Sequence, residues 1–134
     1  MQAATLANRS AVAVSWPGRA LSGVAVAFMI FDGVIHVLKP TPVVDAFAQL
    51  GFPLRFSVGL GILELICAAL YAIPRTSFVG ALLLTGYLGG AIATQLRAEA
   101  AWFPMIFPLI IAALVWGGLV LRDPRLRELF GVDR

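Results

Sequence analysis

Two ionisable side chains lie one helical turn apart inside an apolar stretch of this 134-residue chain. Asp32 and His36 both belong to residues 20–38, which otherwise have the composition of a hydrophobic helix. A carboxylate at the centre of a membrane helix costs about 2.5–3.5 kcal/mol on insertion scales. Residues that carry this cost face a bundle interior or water, because lipid offers them no partner. The pair is therefore a candidate functional site.

Further polar side chains interrupt the apolar stretches that follow. Glu64 lies near the middle of the second stretch, and the third carries Tyr87, Thr94 and Gln95. Because successive spans run in opposite directions, these residues reach the same outer half of the membrane. We predict a polar pocket that opens outward and binds a ligand through Asp32, His36, Glu64, Tyr87, Thr94 and Gln95.

Acid–base chemistry is one use of such a group, with Asp32, His36 and Glu64 as the candidate catalytic residues. Two structural alternatives stay open. Glu64 could be a hydrogen-bonded core residue, and Asp32 with His36 could be an ion pair at the rim of the membrane.

The sequence offers few signals for a metal or a nucleotide. Cys67 is the single cysteine, so neither an internal disulfide nor a dithiol pair can form. One cysteine and one histidine give no zinc-site spacing, and we predict no metal site. No dinucleotide fingerprint or P-loop precedes a helix, so the cofactor stays unassigned at this point.

Composition defines the class of protein. Hydrophobic residues make up 60% of the chain and charged residues 13%, whereas soluble domains have about 45–50% and about 25%. Four apolar stretches each approach the roughly 20 residues that cross a hydrocarbon core. We predict an all-α integral membrane four-helix bundle in the lipid bilayer, with spans at residues 20–38, 56–73, 78–96 and 102–121.

Short interfacial helices are predicted after the first and fourth spans. In "TPVVDAFAQLG", Thr41 is the expected N-cap and Gly51 the stop, and Val44, Phe47 and Leu50 form the expected apolar face. In "DPRLRELFG", the residues expected to mark the helix ends are Asp123, Pro124 and Gly131. The expected buried residues are Leu126, Leu129 and Phe130. Residues 1–19 and 131–134 are predicted to be terminal tails around a membrane domain at 20–130.

Helix packing is predicted at Gly86 and Gly90 in the third span. Together with Thr94 they form a small-residue stripe of the GxxxG kind, which lets a neighbouring backbone approach closely. A homo-oligomer is a further open expectation.

The distribution of Lys and Arg predicts the orientation. Seven Arg residues lie on the side of the termini and the 74–77 turn, and three basic residues lie on the other side. The positive-inside rule places both termini in the cytoplasm. This bias explains the net charge of +3 without a nucleic-acid partner.

Four segments together resemble the DoxX-like family of small bacterial membrane proteins: "FDGVIHVLKPTPVVDAFAQLGFP", "GILELICAALYAIPRT", "GALLLTGYLGGAIATQLR" and "LVLRDPRLREL". The resemblance implies a four-helix bundle in the bacterial inner membrane and a subunit that works with a redox enzyme. The family pattern often has His where this chain has Gln95, so the resemblance does not extend a proton or metal role to that position.

Three functions follow as alternatives. The protein could be a membrane subunit or anchor of a redox enzyme that binds quinone or another lipophilic small molecule. It could instead be a membrane-embedded acid–base enzyme, an isomerase or hydrolase on a lipophilic substrate. The third alternative is a structural membrane protein whose polar residues only hold the helices together.

Overall fold

The computed structural model describes the backbone of residues 1–132 and the side chains of residues 1–5 and 16–132. It is all-helical over this range. The elements are α1 (Gln2–Leu38), α2 (Thr41–Leu50), a 3₁₀ turn (Leu54–Phe56), α3 (Ser57–Ala72), α4 (Ser77–Arg97), α5 (Trp102–Arg122) and α6 (Pro124–Leu129). Four helical segments are long and apolar enough to cross a membrane: Trp16–Leu38, Leu54–Ala72, Ser77–Arg97 and Trp102–Arg122. The predicted four-span membrane bundle is confirmed.

Helix α1 begins earlier than the sequence predicted. It starts at Gln2, so the tail expected over residues 1–19 is helical. Residues 2–16 include five alanines and neither glycine nor proline, a composition that favours helix. Pro17 lies inside the helix without ending it. The helix ends at Lys39, which takes the left-handed conformation and donates its backbone N–H to the Ile35 carbonyl.

The four long helices pack as a ring in the order α1, α3, α4, α5. Helix α1 contacts α3 and α5, and α4 contacts the same two neighbours. The buried core along the axis is apolar and includes Met29, Ala68, Leu84 and Val115. Large apolar side chains cover the outside of the bundle, as expected for a lipid-facing surface.

Close helix contacts occur at glycines other than the two predicted. A Cβ built on Gly61 would lie 2.9 Å from the Cβ of His36, and one on Gly118 would lie 2.7 Å from the Ser22 nitrogen. Gly86 and Gly90 would meet nothing within 4 Å. Neither glycine is therefore in close contact with a neighbouring helix within this chain, so the predicted packing role is not observed there, and Gly90 borders the space between the helices.

Both short helices form where the sequence placed them, but their buried faces differ from prediction. In α2, Val43 and Phe47 are buried while Val44 is exposed. Gly51 ends the helix with a φ of 61°, as expected for a glycine stop. The N-cap is Pro40 rather than Thr41, which is the first helical residue.

In α6 the Asp123 side chain accepts a hydrogen bond from the Arg125 N–H and caps the helix. Leu126 alone of the three predicted residues is buried, while Leu129 and Phe130 are exposed. A six-residue helix offers only about two turns, so one apolar position reaches the bundle. Of the terminal residues used in the orientation count, Arg134 and the side chain of Arg9 lie outside the described part of the chain.

Candidate functional site

A cavity of about 690 Å³ opens between the helices at the end of the bundle that carries α2. Volumes of about 300–1,000 Å³ are typical of small-molecule sites. Most of its wall is apolar and aromatic, with side chains from every long helix and from α2. The aromatic residues on the wall are Phe28, Phe47, Phe52, Tyr87, Phe103 and Phe107.

Helix α1 contributes the carboxyl and imidazole groups at the polar end of this cavity. His36 Nδ1 lies 2.7 Å from the backbone carbonyl oxygen of Asp32 and 3.4 Å from its carboxylate Oδ2. The i to i+4 spacing places both side chains on one face of the helix. The Asp32 side chain is 27% exposed and that of His36 19%, so both lie at the cavity mouth rather than in the core.

Helix α3 contributes Glu64, which is fully buried. Its Oε2 accepts a hydrogen bond of 2.9 Å from the Tyr87 hydroxyl on α4 and lies 4.0 Å from His36 Nδ1. Its Oε1 has no hydrogen-bond partner among the described residues. A buried carboxylate with one unpartnered oxygen is costly unless a proton, a cation or a ligand compensates it.

The approach of α1 to α3 brings the three groups together. Gly33 and Gly61 meet at this crossing, where any side chain would collide with the facing helix. Next to the crossing, the Ser57 hydroxyl donates to the His36 carbonyl at 2.6 Å. One ligand-capable atom from each of Asp32, His36 and Glu64 consequently lies within 4.8 Å of the others. We name these three residues the carboxylate–imidazole cluster.

All six residues predicted for the pocket line the cavity, together with Gly90. Tyr87 joins the carboxylate–imidazole cluster through its bond to Glu64. Thr94 does not, because its hydroxyl donates to the Gly90 carbonyl of its own helix. Gln95 shares the wall with Thr94 but has no hydrogen bond to the cluster.

Helix α2 covers part of the cavity. The Phe47 ring packs edge-on against His36, with ring centroids 5.7 Å apart. At the end of the helix, Arg97 Nη2 donates to the Leu50 carbonyl at 2.6 Å and ties α2 to α4. Phe103 and Phe107 on α5 also line the cavity, although neither was predicted as a cavity residue. Their signal was an aromatic pair four residues apart at the start of an apolar span.

The arrangement defines a class: a multi-pass membrane protein whose helices enclose an apolar cavity with acids, an imidazole and a phenol at one end. The chain belongs to the DoxX-like family, whose sequence profile matches residues 20–118. Comparison with curated proteins and with solved structures finds no match.

Proposed function

We propose that this protein binds a lipophilic small molecule with an oxygen-bearing head group, such as a quinone, as a membrane subunit associated with a redox enzyme. One observation carries the proposal: the cavity is apolar along most of its wall and polar where Asp32, His36, Glu64 and Tyr87 meet. This distribution matches a ligand with a hydrocarbon body and a hydrogen-bonding head.

The polar end offers several ways to hold such a head. The carboxylate of Asp32 and the imidazole of His36 lie at the mouth, where a head group or a bridging water can reach them. The unpartnered Oε1 of Glu64 offers a further contact deeper in the cavity. The aromatic rings of Phe103 and Phe107 suit the hydrocarbon part of the molecule.

The proposed quinone binding and the resemblance to the DoxX-like family support association with a redox enzyme. The chain has one cysteine and one histidine, so it carries no dithiol to exchange electrons with a quinone. A partner enzyme would therefore supply or receive them. The bacterial inner membrane, where such enzymes and quinones meet, is the proposed location.

Filling the cavity tests the binding proposal. Ala91 lines the cavity on α4, whereas Ala93 on the same helix lies outside the lining and is exposed. In detergent, isothermal titration with decylubiquinone should show at least about tenfold weaker binding for Ala91→Phe, a loss of about 1.4 kcal/mol. Ala93→Phe should bind like the unaltered protein.

Two outcomes would contradict the proposal: no measurable binding to the unaltered protein, or equal affinities for the two variants. Mass spectrometry of lipophilic molecules that co-purify provides a second readout, with the same difference expected between Ala91→Phe and Ala93→Phe. A molecule retained equally by both variants would be bound outside the cavity.

Acid–base catalysis is a second candidate function. It is favoured by the short distances between the groups of the carboxylate–imidazole cluster. Its imidazole lies between two carboxylates, at 3.4 Å from that of Asp32 and 4.0 Å from that of Glu64. Such a group can both donate and accept protons. If this function holds, co-purified molecules should be recovered in a chemically altered form from the unaltered protein and in their original form from Glu64→Gln.

A further inference from the structure

We propose that Asp32, His36 and Glu64 bind one divalent transition-metal ion of the Mn²⁺, Fe²⁺ or Zn²⁺ type. Ligand spacing along the sequence predicts no metal site. The structure instead brings one donor atom from each residue within 4.8 Å of the others across two helices. This inference does not depend on the binding of a quinone.

The distances between donor atoms suit a shared ion. Ligands about 2.1 Å from a tetrahedral centre lie about 3.4 Å from one another. His36 Nδ1 is 3.4 Å from Asp32 Oδ2 and 4.0 Å from Glu64 Oε2. All three donor atoms lie within 4.8 Å of one another, so side-chain rotations that shorten the longest separation by up to about 1.4 Å would bring them to a common centre. The Nδ1–H group points at the Asp32 carbonyl oxygen 2.7 Å away, so metal binding there would release the proton and turn the ring away from that oxygen.

The charge of the site also favours a cation. Two carboxylates lie close together: that of Asp32 is at the cavity mouth, and that of Glu64 is fully buried with Oε1 unpartnered among the described residues. None of the described residues that line the cavity is Lys or Arg. A divalent ion would neutralise both carboxylates, and bidentate binding by Glu64 would also give Oε1 a partner.

The donor set indicates which ions fit. One imidazole and two carboxylates suit Mn²⁺, Fe²⁺ and Zn²⁺, whereas Mg²⁺ and Ca²⁺ prefer oxygen alone and Cu⁺ prefers sulfur. Three protein ligands leave open positions on the ion. These would face the cavity, where an oxygen atom of a bound small molecule could complete the coordination.

Neighbouring groups would orient the ligands. The Tyr87 hydroxyl donates to Glu64 Oε2, and the Ser57 hydroxyl fixes the backbone of His36 by donating to its carbonyl. Contacts of this kind hold metal ligands in position, and their loss typically lowers metal affinity by about 10–100-fold. Tyr87 and Ser57 are positioning residues in this proposal.

Metal binding can be measured on the full chain in detergent, without a polyhistidine tag and after treatment with a chelator. Isothermal titration with Zn²⁺ should show one site per chain. Glu64→Gln and His36→Gln should each weaken it by at least about 100-fold, since each removes a direct ligand. Asp45→Asn on α2 and Glu99→Gln after α4 remove exposed carboxylates near the same end of the bundle, and both should bind Zn²⁺ normally.

Co²⁺ gives a second readout that does not require the variants to fold. Bound to the unaltered chain, it should show the visible absorption of a four- or five-coordinate site with nitrogen and oxygen ligands, without a thiolate charge-transfer band. Absence of Zn²⁺ binding would overturn the proposal, as would equal Zn²⁺ affinity in Glu64→Gln and the two controls. Because these titrations contain no quinone, their failure leaves the proposed ligand binding unaffected, and quinone titrations with chelator present test that separately.

Discussion

At the scale of single residues, the site depends on how Glu64 is compensated. This carboxylate is fully buried; its Oε2 accepts a hydrogen bond from Tyr87, whereas its Oε1 has no hydrogen-bond donor among the described residues. The structure therefore distinguishes Glu64 from an ordinary core acid, which would have both oxygens satisfied. Asp32 and His36 differ from a simple rim ion pair, because they also face Glu64.

Removing the Tyr87 hydroxyl should destabilise the protein. In Tyr87→Phe the Glu64 Oε2 loses its donor and both carboxylate oxygens are then unpartnered among the described residues, which we expect to cost about 1–3 kcal/mol of unfolding free energy. Thr94→Val is the matched control, since its hydroxyl bonds only to its own helix. Thermal unfolding in detergent measures both. Equal melting temperatures for the two variants would show that the Tyr87–Glu64 bond contributes no stability.

At the scale of helices, two kinds of contact position the site. Gly33 and Gly61 allow α1 and α3 to approach beside the cluster, and Arg97 holds α2 over the cavity by donating to the Leu50 carbonyl. At the other end of the bundle, the Arg122 guanidinium donates to the Tyr71 carbonyl and lies 4.9 Å from the centre of the Tyr71 ring. The cavity therefore forms between helices that are fixed at both ends.

Alanine substitutions at Gly61 and Gly86 should change the stability of the protein in opposite directions. Gly61→Ala places a methyl group against the His36 side chain and the α1 backbone, and should lower the unfolding free energy by about 1–3 kcal/mol. Gly86→Ala meets open space and should leave stability unchanged or raise it by about 0.5–1 kcal/mol through helix propensity. Thermal unfolding compares them directly. A larger loss for Gly86→Ala would indicate that its stripe packs against a second copy of the chain.

The Arg97 contact predicts how firmly α2 is held. In Arg97→Met the bond to the Leu50 carbonyl is lost while most of the side-chain volume is kept. Backbone amides of residues 41–50 should then exchange hydrogen for deuterium several-fold faster, because local opening costs less. Arg55→Met, on the same side of the membrane by prediction, is the control. Unchanged exchange in Arg97→Met would mean that the burial of Val43 and Phe47 alone holds the helix.

The contacts between helices explain why some features of the structure could be predicted from the sequence and others could not. Span lengths and the approximate depth of Asp32, Glu64 and Gln95 could be predicted, because both follow from residue counts along apolar stretches. The side of each helix that faces its neighbours could not be predicted in this way. Gly86 and Gly61 both lie in apolar spans among other small residues, and only the helix rotation decides that Gly61 is packed and Gly86 is free.

At the scale of the whole molecule, the two ends of the bundle differ in chemistry. One end holds α2, the cavity and its acids, and the other holds α6, the 74–76 turn and most of the arginines. Within the described side chains, Arg19, Arg75, Arg122, Arg125 and Arg127 lie at the α6 end. Lys39, Arg55 and Arg97 lie at the α2 end. Since the family and the four apolar helices establish a multi-pass membrane protein, this asymmetry bears on its orientation.

We expect the α6 end in the cytoplasm and the α2 end outside. The positive-inside rule depends on Lys and Arg near the ends of the spans, and the five-to-three bias there favours this orientation. Alkaline phosphatase, which is active only outside the cytoplasm, should be active when fused after Gln49 in α2 and inactive when fused after Val132. Green fluorescent protein stays dark when it is exported unfolded. It should therefore fluoresce when fused after Val132 and stay dark when fused after Gln49. Phosphatase activity at Val132 with none at Gln49 would invert the orientation and place the cavity mouth, with Asp32 and His36, on the cytoplasmic side.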